Sequence, residues 1–264
     1  MKRTLFALLL LLVASLARAG VTYELSMNTT GVAAPTFSGT ASVDGERSRF
    51  ELARGDGLLF KDGSVVLSSD GGRTLLVLDP KAKSYYKLSF DELFATAGAL
   101  MKSMGSMVQL SISNPKVDVK ATGPGGKIEG FATNKYEIST SYDLKMMVLG
   151  TDMSSSVEMD SEIWTTPDLE AGNAVFLQDK SVRTGIPEMD TLITAQAGRV
   201  KGFPLRQVTT MRSTQRGKTT EQTTTMTVSN VREGAIEPAV FVLPAGYTEG
   251  KSPLQDLQQI KIPQ

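Results

Sequence analysis

The 264-residue chain has no cysteine, no histidine and a single tryptophan. Without thiols or imidazoles it cannot build a Cys–His nucleophile pair, a Ser-His-Asp triad, a thiolate or imidazole metal site, a haem attachment or a disulfide. It also lacks an excess of charge: 28 basic and 28 acidic side chains balance, which removes the electrostatic motive for nucleic-acid binding. No Pro/Ser/Gly-rich linker interrupts residues 21–247, where a boundary between two domains would need one, and no short-period repeat is evident. What is present is enough to fold. Apolar residues make up 41% and charged residues 21% of the chain, a balance that supports a substantial core.

The N-terminus carries a tripartite pattern. Lys2 and Arg3 form a positive start, the run from Leu5 to Leu16 is almost wholly apolar, and Ala17-Arg18-Ala19 places small residues where signal peptidase reads them. This predicts a signal peptide over residues 1–19 with cleavage after Ala19. The apolar run is about a dozen residues against the ~20 needed to span a bilayer as a helix, which disfavours a retained anchor. A lipoprotein anchor would require a cysteine at the cleavage point. Loss of Lys2, Arg3 and Arg18 leaves a slight acidic excess, and the mature protein is expected in the periplasm or outside the cell, stabilised by its core alone. Asn28-Thr29-Thr30 fits a glycosylation acceptor, which matters only on a eukaryotic secretory route.

From Val21 to Thr30, Val21, Tyr23, Leu25 and Met27 alternate with polar residues, the period of a strand with one wet face. Strand patterns follow over Phe37–Val43, Arg47–Leu52, Leu58–Phe60, Val65–Ser68, Thr74–Leu78 and Ser84–Leu88. Turn residues separate them, among them Asp44-Gly45, Asp62-Gly63 and Asp70-Gly71-Gly72. After the helical stretch described below, strands are expected over Val108–Ser113, Val117–Ala121, Lys127–Gly130, Asn134–Tyr142, Val157–Trp164, Leu205–Thr214 and Thr219–Val231. Gly123-Pro124-Gly125-Gly126 reads as a hairpin turn; it lacks the lysine-serine/threonine and helix of a phosphate cradle. Two short helices are expected around Asp168–Asp179 and Pro187–Ala197, the second with Pro187 at its first position and Gly198 as its stop. Phe241–Tyr247 closes a domain spanning residues 20–247, and the tail 248–264 is expected as a loose appendage. About a dozen antiparallel strands accumulate too much twist for a flat sheet. The pattern predicts a mainly β fold with a few helices: a single curved antiparallel sheet capped by helices inside its concavity.

The break in strand rhythm at Ser89 is informative. Ser89 with Glu92 forms a capping box, and Phe90, Leu93, Phe94, Ala97, Leu100, Met101, Met104 and Met107 recur at helical spacing, predicting a helix over about residues 90–105. Methionine adapts to irregular partners, so this face reads either as a core helix or as a lid contacting a ligand. Copper(I) binding through thioethers is a weaker third reading, with no histidine or cysteine nearby. The apolar lining expected for a ligand is Phe90, Leu93, Phe94, Leu100, Met101, Met104, Met107 and Trp164. Trp164 and the pair Tyr85-Tyr86 equally suit a core.

Gly126-Lys127-Ile128-Glu129-Gly130-Phe131, Lys135-Tyr136-Glu137-Ile138 and Glu162-Ile163-Trp164-Thr165-Thr166-Pro167-Asp168-Leu169 resemble the central signature of a bacterial exported domain-of-unknown-function family. Gly202-Phe203-Pro204-Leu205 and Leu243-Pro244-Ala245-Gly246-Tyr247 fit its later part. That family is similar in layout to the LolA/LolB and RseB-like lipoprotein-carrier superfamily, half-open barrels whose hollow is plugged by helices. The resemblance implies a periplasmic module that binds lipid or acyl chains without enzymatic activity. No arginine here corresponds to a functional position of those carriers, so none is assigned.

Carboxylates are the remaining strong acid/base candidates, densest at Asp152, Glu158, Asp160 and Glu162. Glu158, Asp160 and Glu162 share one strand face by their i, i+2, i+4 spacing, which suits a solvated surface better than catalysis or Ca²⁺ binding. No metal, cofactor or catalytic residue is expected. Two functions from different classes stand: a carrier or sensor holding an apolar ligand in a concave sheet, and a structural or interaction protein of the cell envelope with a filled core and an envelope protein as partner. A carboxylate-only hydrolase is the remote third.

Overall fold

A computed structural model describes residues 20–31, 36–55, 59–103, 108–169, 186–196 and 198–258. Six strands come first: β1 (Gly20–Thr30), β2 (Phe37–Asp44), β3 (Arg47–Arg54), β4 (Val65–Ser68), β5 (Thr74–Asp79) and β6 (Ser84–Ser89). Helix α1 (Phe90–Ser103) leads into β7 (Val108–Ile128), β8 (Phe131–Val148), β9 (Thr151–Asp152) and β10 (Ser155–Thr166). Then come α2 (Pro187–Gln196), β11 (Phe203–Gln215), β12 (Lys218–Gly234), a 3-10 turn (Pro238–Phe241), β13 (Thr248–Glu249) and α3 (Pro253–Gln258).

The strands form one sheet in the order β13-β6-β5-β4-β3-β2-β1-β12-β11-β10-β8-β7, with β9 paired to β8. The sheet curves and stays open. Among the described residues every pairing is antiparallel except that of β13 with β6. The tip of the long β7–β8 hairpin reaches back to the main core: the Asn230 amide donates to Glu129 Oε2 at 2.8 Å, and Ile128 and Phe131 pack against the core.

Strand register divides the side chains into two faces. One row runs Tyr23, Ala41, Phe50, Val66, Val77 and Tyr86 across β1 to β6, and the same face carries the three described helices. Leu254 of α3 is buried with Val77 and Leu88, and Leu93 of α1 packs beside them. Gln196 of α2 donates through Nε2 to Thr140 Oγ1 at 3.1 Å. This is the concave face. Its lower part is filled by Tyr23, Phe50, Leu169, Phe203, Leu205 and Val228, with Phe203 edge-on to Tyr23 at 5.2 Å. Position 39, opposite Leu25 and Leu52 on this face, is glycine because a Cβ there would stand 2.2 Å from Glu51 O. On the convex face, Leu243 and Tyr247 cover Val65, Leu67 and Leu78, and Arg47 lies 5.0 Å from the Phe241 ring centroid. The β1–β6 half is therefore packed from both sides.

Several expectations change. Gly123-Pro124-Gly125-Gly126 is no hairpin turn: it is a doubly bulged stretch inside β7, and the chain reverses at Glu129-Gly130. Glycine supplies the positive φ of Gly123 and Gly126, and bulges need that freedom as much as turns do. Leu59 and Phe60 are not in a strand. Residues 248–258, expected as a loose appendage, carry β13 and α3, tied down by backbone pairing to β6 and by burial of Leu254. The expected signal peptide, and the expected helix beyond Leu169, lie outside the described residues. No described helix is long and apolar enough to cross a membrane.

Candidate functional site

Across β8, β10, β11 and β12 the concave face is less completely covered by the described residues. Register aligns Thr140, Met159, Met211 and Gln222 in one row, and Ile138, Ser161, Thr209 and Thr224 in the next. Thr140 and Ile138 are buried, whereas Met159, Met211, Ser161, Thr209, Gln222 and Thr224 are half-buried. Hydroxyls and amides on this face satisfy one another: Ser161 and Thr209 lie 2.8 Å apart, Thr29 and Thr224 2.9 Å, and Gln207 Nε2 donates to Thr209 Oγ1 at 3.1 Å. A surface of paired hydroxyls and thioethers is wettable yet costs little to dry.

Toward the far strand ends this face opens into a hollow of about 440 Å³ lined by Leu144, Met146, Met153, Ser155, Ser213, Gln215, Lys218 and Thr220. The strands set this lining directly: Ser155 pairs with Leu144, and Lys218 pairs with Gln215 at the hairpin end. Met153 is held over the edge by its amide, which donates to Met146 O at 2.8 Å. The loop is fixed by Asp152, whose carboxyl titrates below its ordinary value chiefly because the Ser154 hydroxyl and amide donate to it, with Arg216 nearby. The volume falls in the range of small-molecule sites, roughly 300–1,000 Å³. Lys218 is the sole charged member of the lining.

The expected lining separates into three groups. Leu93 packs into the cluster of Val77, Leu88 and Leu254, and Phe94 is half-buried. The space beside α1 is a cavity of about 530 Å³ with mixed walls: Ala95 and Leu254 are apolar, whereas Lys87, Glu92, Glu249 and Gln255 are charged or polar. Met104 and Met107 lie outside the described residues, as do the side chains of Phe90, Leu100 and Met101. Trp164 stands on the opposite, convex face, because register places it beside Lys135 and Arg206. Each cation lies 5.1 Å from its ring centroid. Trp164 thus does not share a hollow with α1.

The acidic row occupies that same convex face. Arg212 bridges Asp160 at 3.0 Å and Glu221 at 2.8 Å, while Lys135 pairs with Glu162 and, at 3.6 Å, with Glu137. Glu162 raises the Lys135 pKa through their hydrogen bond. Among the described residues no cluster of acidic side chains is arranged to hold a metal ion. The residues missed in sequence are Leu144, Met146, Met153, Met159 and Met211. Their signal was strand parity with buried Ile138 and Val157, spread over strands too distant in sequence to be aligned without register.

Residues 22–247 match DUF4412, a domain of unknown function. The chain belongs to the DUF4412 family. Among solved structures, a LolA superfamily protein from Nitrosomonas europaea is similar over 85% of this chain and 90% of that one, with 9% identity and a TM-score of 0.28. The Pseudomonas aeruginosa MucA/MucB complex is similar over 83% of this chain and 95% of that one, with 8% identity and a TM-score of 0.25. No curated protein matches the chain. Within the DUF4412 domain lie the open concave face and its hollow, the doubly bulged β7 and the convex-face tryptophan. The matched region ends at residue 247, immediately before β13.

Proposed function

We propose that this DUF4412 protein is a non-enzymatic binding protein of the periplasm or extracellular space that holds a lipid or acyl chain against its concave sheet. The observation that carries the proposal is the lining of the hollow over β8, β10, β11 and β12. Leu144, Met146 and Met153 supply apolar contact, uncharged hydroxyl and amide groups surround them, and Lys218 stands alone as a cation. That arrangement suits an amphiphile whose tail lies on Met159 and Met211 and whose anionic head meets Lys218. Met101, Met104 and Met107 join the proposal from sequence pattern alone, as flexible side chains able to contact such a guest. An export route follows from the leader pattern at residues 1–19.

The test is titration with a dansyl-labelled fatty acid. Saturable fluorescence enhancement is expected for the native chain, with at least tenfold weaker binding in the Met159→Glu/Met211→Glu double variant, since a charge on the dry face must be desolvated. Absence of uptake by the folded native chain would favour the second reading, an envelope interaction protein without a small-molecule ligand. The observation behind that reading is the β1–β6 half, which is packed on both faces.

A further inference from the structure

A sheet edge exposes unpaired backbone groups and invites another strand. Here the edge of β6 is covered by the chain's own C-terminal segment. The Thr248 amide donates to Lys83 O at 3.0 Å and the Gly250 amide to Tyr85 O at 2.7 Å. Glu249 accepts from Lys87 Nζ and from the Tyr85 hydroxyl, each at 3.1 Å, and its carboxyl titrates below its ordinary value mainly because Lys87 donates to it. Leu254 then anchors α3 beside α1.

This cover is weakly held and poorly fitted. Its strand is two residues long, both exposed, and its ion pair is half-exposed on both partners. Exposed ion pairs hold little on their own. The segment also leaves the cavity of about 530 Å³ between itself, Lys87 and α1. Gly250 contributes no side chain to it, although a Cβ there would meet only Tyr85 O, at an ordinary 3.7 Å. A side chain is therefore accommodated where this chain has none. The covering segment begins directly after the matched DUF4412 region, at residue 248.

We propose that the β6 edge and the flank of α1 form a docking groove for an extended peptide segment of a partner protein, and that residues 248–258 are an intramolecular placeholder in it. The groove specifies its occupant: a strand running parallel to β6, an acidic side chain opposite Lys87 and Tyr85, a larger side chain at the position of Gly250, and an apolar anchor at that of Leu254. A peptide that fills the cavity makes contacts the placeholder lacks and displaces it. This groove is separate from the hollow over β8 to β12, so either reading can fail alone.

The experiment is fluorescence anisotropy of a fluorescein-labelled peptide copying residues 247–258 with G250L, added to the full-length chain. Saturable binding is expected. Affinity should rise at least tenfold for the full-length Glu249→Lys variant, whose placeholder is repelled by Lys87, and fall at least fivefold for the Gly250→Leu variant, which fills its own groove. N-methylation of the peptide at the Gly250 position removes the donor to Tyr85 O and should abolish binding. Circular dichroism establishes that each variant is folded; if Glu249→Lys is not, the native and Gly250→Leu chains decide the matter. No saturable binding to the native chain and folded Glu249→Lys, equal affinity for all folded chains, or undiminished binding of the N-methylated peptide would overturn the proposal. Uptake of the dansyl fatty acid by Glu249→Lys should equal that of the native chain.

Discussion

The same concave face serves two purposes in its two halves. Over β1 to β3 it is sealed: Tyr23, Ala41, Val43, Phe50 and Leu52 are buried under Phe203, Leu205 and Leu169. Over β8, β10 and β11 the equivalent rows carry Thr140, Met159, Ser161, Thr209 and Met211, several of them half-buried. Residue type follows this division. Aromatic and branched aliphatic side chains fill the sealed half, where a defined shape lowers the free energy of packing. Thioethers and hydroxyls line the open half, where adaptability matters more than shape. A continuous curved sheet thus supplies both a stabilising core and a surface whose apolar groups are only half-buried among the described residues.

The comparison breaks most sharply by truncation. Phe203→Ala should lower unfolding free energy by about 3–5 kcal/mol, the cost of removing a fully buried aromatic and leaving a cavity. Met211→Ala, on the half-buried row of the same face, should cost about 1 kcal/mol or less because it removes less buried area. Urea unfolding of both measures the difference, and equal losses would mean that the two halves are packed alike.

A smaller effect is expected on the convex side. A Cβ at Gly125 would fall 2.6 Å from Trp164 Cδ1 and 2.7 Å from Thr133 Oγ1, so Gly125→Ala must displace the indole or the β7 bulge. The expected cost is about 1–3 kcal/mol, in the range of overpacked sites. Trp164 is the only tryptophan, and its emission spectrum should shift with the substitution. Unchanged emission and stability would show that the bulge does not seat the ring.

The sealed half should also resist ionisation. Burial raises the Tyr23 hydroxyl well above its ordinary value and pushes Tyr86, which donates to Leu59 O, up to about 12. Because the unfolded chain ionises these groups first, their contribution is fully present below the ordinary tyrosine value of 10.0 and is lost as pH rises toward 12. A tyrosinate absorbance titration should show a late component that appears together with loss of β-sheet signal. Full ionisation near pH 10 with the fold intact would contradict the burial of these rings.

Much of the fold was legible because alternation and turn chemistry are local. The strand over Val65–Ser68 and the helix with Pro187 at its first position and Gly198 as its stop follow from a few residues each. Gly123–Gly126 was misread because glycine permits a reversal and a bulge equally; only the partner strand, with Gly126 opposite Thr133, decides between them. Trp164 was assigned to the lining although its parity with Glu158, Asp160 and Glu162, the row assigned to a wet face, pointed to the other side. The docked C-terminal segment was not legible, since its anchors Lys87, Val77 and Leu88 lie more than 150 residues away. The open hollow was hidden for the same reason, assembled from one or two residues on each of four separate strands and from Met153 in the loop before β10.

The most direct measurement is photolabelling of the native chain with a diazirine-bearing fatty acid, followed by peptide mapping. The expected adducts fall on Leu144, Met146, Met153, Met159 and Met211, and an excess of unlabelled fatty acid should suppress them. Labels confined to the convex row around Trp164, or labelling that excess fatty acid cannot compete away, would contradict an acyl guest on the open half of the sheet.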